Sequence, residues 1–388
     1  RARAARGEQG YLDSSLEVFH DIAGTIDVRF SGYERTADKG RIIALIKDNV
    51  SVDQVEEGDK VAIVLDATPF YAESGGQVAD AGWITTATGK LRVEDVQKPV
   101  EGLIVHFGTV AEGAIQSNSE ATAAIEADDR IDTARHHTAT HLLHKALKDI
   151  LGDHVNQAGS YVSPDRLRFD FTHFEGVDQE TLGKIEDHVN QAILANYHVE
   201  AEQKSIDEAK AEGAVALFGE KYGSIVRVIR IGNHSIELCG GTHVRATGDI
   251  GLMRIISEGS VASGVRRIEA VVGTKALAYA RSREDLLKQV GSIVGTRNLD
   301  DLPNQVSRLV EHAKELEKQI SVLKGQALSS LSDELLGQAE EIGGVSVLVA
   351  EVPGVSSEEL RDMGDRLRDK LNNGALLLGT RSEDKVLF

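Results

Sequence analysis

One cysteine in 388 residues, Cys239, leaves no partner for an intrachain disulfide, which excludes a disulfide-stapled fold and fits a reducing compartment. No apolar run approaches the roughly 20 residues that a membrane-crossing helix needs. The first residues, Arg-Ala-Arg-Ala-Ala-Arg-Gly, are basic but lack the apolar core of a secretory signal. Positive charge is scarce: 43 Lys and Arg against 62 Asp and Glu give a net charge of −19, which argues against indiscriminate nucleic-acid binding but permits a local basic face. No internal repeat and no low-complexity tract is present. The missing initiator methionine and a last residue inside a strand-like run suggest a piece of a longer protein. What remains is a cytoplasmic, non-membrane chain of ordinary 41% hydrophobic content, long enough for two or three domains.

Against that background two short stretches stand out. The first runs from Arg135 to His144 and reads Arg-His-His-Thr-Ala-Thr-His-Leu-Leu-His. Its His137 and His141 are four apart in a helical pattern and therefore share a face. The second, Glu237-Leu238-Cys239-Gly240-Gly241-Thr242-His243-Val244, places the sole cysteine four residues before His243 across a Gly-Gly turn. Imidazole and thiolate together suit Zn²⁺. The pattern is not that of a zinc peptidase, because Thr138-Ala139-Thr140 supplies no glutamate between the histidines. His144 points further round the helix and reads as packing or as a support for the ligands, while His136, His154, His173 and His234 read as surface or packed residues. Four protein ligands form a closed tetrahedral set, the structural pattern. A weak or displaced ligand, five-coordination, or an ion that only organises a pocket all remain open.

Along the chain, residues 1–25 read as the helical tail of an upstream domain. Short β runs follow at 26–30, 41–47, 60–65, 83–86, 90–96 and 102–110, the texture of a small antiparallel barrel or sandwich over 26–115. Between two of them lies Glu73-Ser74-Gly75-Gly76-Gln77, by composition a hairpin turn. Residues 116–275 predict an α+β domain: a helix capped by Asp132 or Thr133 and stopped at Gly152, strands near 161–162 and 167–171, a helix at 178–196, a strand at 198–205, a helix at 206–217, then strands at 225–231, 235–239, 250–258 and 265–272. Over 276–335, Leu302, Val306, Leu309, Ala313, Leu316, Ile320, Leu323 and Ala327 form an a/d seam, hence a coiled-coil arm whose partner is either intrachain or a second copy. Residues 336–388 read as a partial α/β module with strands at 345–351, 375–378 and 385–388 and a helix near 357–371.

The two metal half-motifs, Glu73–Gln77, Asn156-Gln157-Ala158-Gly159-Ser160, Leu167-Arg168-Phe169-Asp170-Phe171 and Gly264-Val265-Arg266-Arg267-Ile268-Glu269 together resemble the editing region of alanyl-tRNA synthetases. The similarity covers nearly the whole chain. It implies an α+β multidomain protein: a β-barrel, a zinc-containing editing domain over 116–275, a coiled-coil linker and a partial C-terminal module. It implies hydrolysis of tRNA(Ala) mischarged with serine or glycine, with Zn²⁺ held by His137, His141, Cys239 and His243. Thr140 and Gln157 would lie in the editing pocket, and the Gly75-Gly76 hairpin would approach it, with Gln77, Arg168 and Arg266 binding substrate. Lys145, Lys148, Arg166, Arg245 and Arg267 join these arginines as candidate tRNA contacts, and the C-terminal region would support a homodimer. No activating domain is recognised, so the chain alone is not expected to charge tRNA. The alternatives are a non-catalytic tRNA-binding and dimerisation module with structural zinc, and a free-standing trans-editing protein.

Overall fold

A computed structural model describes residues 18–24, 26–215, 223–382 and 385–388. It divides into two compact units, residues 1–282 and 283–388. Among the described residues no helix is long and apolar enough to cross a membrane.

The first unit begins with a closed barrel. Its six strands are β1 (Ala37–Lys47), β2 (Lys60–Leu65), β3 (Gly82–Thr85), β4 (Gly89–Gln97), β5 (Val105–Gln116) and β6 (Glu120–Ile125). They pair in the ring order β6-β3-β4-β5-β2-β1, and β1 closes back onto β6 from Arg41 opposite Glu120 to Ala37 opposite Ala124. Closure removes the exposed edge that an open sheet would present. The alternating strands turn Ile42, Leu45, Ile63, Leu65, Ile84 and Leu91 into one dry interior. Two sequence expectations shift. Of the run at 26–30 only Arg29–Phe30 is a strand, and it pairs in parallel with Ala67–Thr68 outside the ring. The sixth barrel strand, Glu-Ala-Thr-Ala-Ala-Ile, escaped notice because small alanines carry little β signal.

Helix α1 (Ala127–Leu151) follows directly and starts five residues before the expected cap. Glu126 makes no side-chain cap; Asp128 and Asp129 face the positive end of the helix instead. The buried Arg130 ties this first turn to the barrel, with its guanidinium on Asp80 and on the carbonyls of Gly32 and Pro69. Leu142, Leu143, Ala146 and Leu147 press α1 onto a four-stranded antiparallel sheet in the order β7-β8-β13-β12. These strands are β7 (Gln157–Val162), β8 (Leu167–Thr172), β12 (Met253–Ala262) and β13 (Val265–Val272).

Helix α2 (Gln179–Leu194), capped by Asp178, packs against α1, and a three-stranded sheet carries the second motif. That sheet is β9 (Val199–Ser205), β10 (Ile225–Ile231) and β11 (Ser235–Leu238). The expected helix over 206–217 is shorter, α3 (Ile206–Ala211), because Gly213 turns at φ +83°; the end of that expectation lies outside the described residues.

Helix α4 (Gly273–Val294) carries the chain into the second unit. There α5 (Leu302–Leu336) runs for 35 residues, with Leu309, Leu316, Ile320 and Leu323 of the predicted seam exposed. A small sheet of β14 (Glu340–Ile342), β15 (Val345–Glu351), β16 (Gly374–Ser382) and β17 (Lys385–Leu387) is crossed by α6 (Ser357–Lys370). Strands β15 and β16 are parallel, as a strand-helix-strand crossover requires. Leu335, Leu348, Val352, Leu360, Met363, Leu367 and Leu378 give this module a core of its own.

Candidate metal centre

Helix α1 presents His137 and His141 one turn apart, their rings stacked 5.4 Å apart at 2°. Strand β11 ends at Leu238, and the Gly240-Gly241 turn swings Cys239 and His243 onto those rings. The four ligand atoms lie within 4.8 Å of one another. Sγ of Cys239 is 3.3 Å from Nε2 of His137 and 3.4 Å from Nε2 of His243. A tetrahedral zinc would set adjacent sulfur and nitrogen donors about 3.5 Å apart, so the donor set fits that ion.

A chain of partners fixes which nitrogen each ring turns inward. Nδ1 of His137 donates to Oε1 of Gln77 at 2.7 Å. Nδ1 of His141 meets Oε2 of Glu237 at 2.7 Å. Nδ1 of His243 donates to Oγ1 of Thr138 at 3.1 Å, and Thr138 in turn donates to the carbonyl of Ala134 at 3.0 Å. All three rings therefore offer Nε2 to the centre, the arrangement in which an outer partner sets tautomer and basicity. Nε2 of His141 is buried and has no hydrogen-bond partner among the described residues, as a nitrogen reserved for an ion would.

The electrostatics suit a metal at three of the groups. At the fourth, burial opposes the charge on His141, but Glu237 and Cys239 hold its pKa well above the ordinary value, so metal binding there releases a proton. Burial opposes ionisation of Cys239, but His137, His243 and His141 around it hold the thiol well below its ordinary value, toward the thiolate that metals bind. Burial likewise opposes the charge on Glu237, yet His141 and His144 keep its carboxyl below the usual range. Burial pushes His243 down to about 3, the neutral form that a metal ligand needs.

Close approach of the Cys239 turn to α1 demands glycine. A Cβ on Gly241 would lie 2.0 Å from Cε1 of His137. The turn is held from outside by Arg227, which donates to the carbonyls of Cys239 and Gly241 at 3.0 and 2.7 Å, and by Tyr33, whose hydroxyl donates to that of Gly240 at 2.7 Å.

Beside the four donors is a cavity of about 60 Å³. Gly75, Thr140 and Gln157 line it together with Tyr71 and Ser160. The barrel hairpin reaches it by docking on β7: Val162 N–H donates to the Gly76 carbonyl at 2.7 Å, and Val78 N–H to that of Val162 at 3.0 Å. Gly76 sits at φ +80° with the Ser160 carbonyl where a Cβ would go. Gln77 stands behind the metal ligands rather than in the cavity: it is buried, with Oε1 on His137 and Thr242 and Nε2 on Thr242. Arg168 and Arg266 also lie off the cavity lining, on β8 and β13. Arg266 makes a two-pronged pair with Glu258 at 2.6 and 2.8 Å, and Arg168 leans over Tyr161. Sequence reasoning assigned no role to Glu237, Thr138, Tyr71 or Ser160. Glu237 alone carried a signal, a carboxylate two residues before the cysteine on a strand.

Comparison with known proteins adds two kinds of match. Residues 1–129 match the family described as tRNA synthetases class II (A), and residues 226–269 match the second additional domain of threonyl and alanyl tRNA synthetases. The chain is 44% identical over 370 residues to the alanine–tRNA ligase of Acetivibrio thermocellus, covering 95% of this chain and 42% of that protein. It is 44% identical over 387 residues to that of Desulforamulus reducens, covering 100% of this chain and 44% of the relative. The Thermoanaerobacter pseudethanolicus enzyme is 43% identical over 390 residues, again over 100% of this chain and 44% of the relative. The chain thus spans less than half the length of these curated relatives.

Proposed function

Because the chain belongs to the alanine–tRNA ligase family, we propose that it carries the editing step, hydrolysis of the ester that joins serine or glycine to tRNA(Ala). The observation that carries this reading is the 60 Å³ cavity in which Gly75, Thr140 and Gln157 meet the His137, His141, Cys239 and His243 donor set. An aminoacyl ester is already reactive, so the site has only to hold the amino acid, place a water and steady the oxyanion.

When bound at the four donors, Zn²⁺ supplies a concentrated positive charge beside the ester. The chain's own groups do the rest. The amide of Gln157 borders the cavity and orients the water or the developing oxyanion. Oγ1 of Thr140 donates its hydrogen to the His136 carbonyl at 2.8 Å, which leaves its lone pairs to accept from a serine hydroxyl. Alanine leaves that acceptor unpaired, the kind of mismatch that separates serine from alanine; glycine leaves it unpaired as well, so this contact accounts for serine alone. The exposed apolar stripe of α5 is the surface to which the same reading assigns homodimer contact.

The test is hydrolysis of Ser-tRNA(Ala) beside Ala-tRNA(Ala) by metal-loaded and chelated protein, with circular dichroism to confirm that the chelated chain stays folded. Serine release, spared alanine and loss on chelation are expected. Cys239→Ala removes metal and activity together, whereas Gln157→Ala lowers turnover with metal content unchanged. Tight tRNA binding at full metal occupancy without ester hydrolysis would replace this reading by a tRNA-binding module with structural zinc.

A further inference from the structure

A second cavity, of about 360 Å³, shares His144 and Glu237 with the metal cavity as its wall. Among the described residues, Lys145, Lys148 and Arg230 give its lining three cations and Glu237 one carboxylate. That carboxylate is committed to His141 at 2.7 Å. Lys145 reaches Asp149 and Arg230 reaches Glu212, both outside the lining, while Lys148 has no carboxylate partner among the described residues. Two imidazoles complete the wall, His144 and His234. In each, Nε2 is buried with no hydrogen-bond partner among the described residues, and His144 as a whole is only 4% exposed.

Buried ring nitrogens without protein partners are uncommon and are satisfied by an ordered water, an ion or another ligand. The charge around them sets its sign. Elsewhere on this unit several arginines on or beside the four-stranded sheet are paired: Arg266 with Glu258, Arg267 with Asp170, Arg254 with Glu186 and Arg166 with Glu269. In a chain of net charge −19, Asp149 and Glu212 offset Lys145 and Arg230 and His141 holds Glu237, which leaves Lys148 as the pocket's unpaired cation among the described residues. Lysine, arginine and imidazole N–H groups converging on one concavity match the oxygens of a phosphate.

We propose that this second cavity binds a phosphate anion, and that the anion is a backbone phosphodiester near the 3′ end of the tRNA whose ester enters the metal cavity. The identity of the anion rests on the reading given under Proposed function. The shared His144–Glu237 wall puts the two ligands side by side, as neighbouring groups on one strand would be. Lys148 and Arg230 hold the phosphate from solvent and Nε2–H of His234 from the protein side, while His144, whose Nδ1 faces Glu237 at 3.6 Å, forms wall.

The experiment uses the whole metal-loaded chain and measures the affinity for uncharged tRNA(Ala) by fluorescence anisotropy across a salt series. Lys148→Ala and Arg230→Ala are compared with wild type and with Lys148→Arg, and metal content is measured for each. Each alanine variant is expected to weaken binding roughly three- to tenfold and to lower the slope of log affinity on log salt by about 1, with Lys148→Arg restoring both. Inorganic phosphate should compete with tRNA more weakly in the alanine variants. Wild-type affinity and slope in both alanine variants, or no tRNA binding by the wild type, would overturn the proposal. Inorganic phosphate binding that the variants abolish while tRNA affinity stays constant assigns the pocket to free phosphate and overturns the link to the polynucleotide. Because the readout is binding, these outcomes are separate from ester hydrolysis: a chain that hydrolyses Ser-tRNA(Ala) with unaltered variants loses this pocket and keeps its function.

Discussion

Oε2 of Glu237 lies 2.7 Å from Nδ1 of His141, and both side chains are buried. The carboxylate fixes the ring with Nε2 inward and raises its basicity, so it acts on the ion through the histidine. Glu237→Gln keeps an oxygen for Nδ1–H but loses the charge, and is expected to weaken metal affinity roughly tenfold, toward a hundredfold for Glu237→Ala. Glu237→Ala also strands a buried imidazole and should destabilise the first unit by about 3–5 kcal/mol. Chelator competition and denaturant unfolding measure the two effects. Affinity equal to wild type in both variants would show that the pair serves packing alone.

Gly241→Ala tests the geometry of the turn. The new Cβ would lie 2.0 Å from the ring of His137, so either the turn retreats or the ring leaves Gln77. Both movements separate Cys239 from the α1 histidines. Metal affinity is therefore expected to fall at least tenfold, by analogy with loss of a ligand's outer partner. Gly240→Ala is the control, since a Cβ there meets no atom within 4 Å. Equal metal affinity in the two variants would contradict the close approach.

The donor set was legible because its parts are local. His137 and His141 follow from helical spacing, and Cys239 and His243 from a four-residue turn. The supports that come from far along the chain were not, and the local ones, Glu237 and Thr138, gained a role only once the rings were placed. Gln77 reaches His137 across 60 positions, and Arg227 grips carbonyls whose pairing depends on the β10–β11 register. Barrel strand β6 was hidden for a different reason: its alanines fit a crowded ring closure but lack the β-branched signature. Helix α1 began early because Arg130, a residue with no apolar pattern, anchors its first turn by buried hydrogen bonds.

The barrel carries a pH dependence independent of the metal. His106 is wholly buried; Nδ1 donates to the Ile63 carbonyl at 2.9 Å and Nε2 accepts from Thr68 at 2.8 Å. Burial pushes its pKa down to about 4, so it stays neutral when folded while an unfolded imidazole protonates near 6.5. Below that pH the unfolded chain binds the extra proton, and stability falls as pH drops from about 6.5 to about 4; above 6.5 neither state is charged and the contribution vanishes. Wild type should lose about 3 kcal/mol more than His106→Gln across that window. Trp83 on β3 is the chain's one tryptophan and reports barrel unfolding by fluorescence. Parallel pH profiles for the two proteins would remove His106 as the source.

Thr140→Val addresses selectivity. The two side chains are close in shape, so the cavity keeps its size, and what is lost is an oxygen whose hydrogen is already given to His136. If Oγ1 is the acceptor for a serine hydroxyl, the variant removes a contact that alanine never makes. Serine release should then slow while the rate on Ala-tRNA(Ala) stays at its low level, so the ratio between them falls, by roughly tenfold for one neutral hydrogen bond in a buried site. Metal content should not change, because Thr140 touches none of the four donors through a hydrogen bond. A uniform loss on both substrates would mean that Thr140 shapes the helix at His136 and His137. An unchanged ratio would move recognition of the serine hydroxyl to the other oxygens on the cavity wall, those of Ser74, Ser160 and Tyr71.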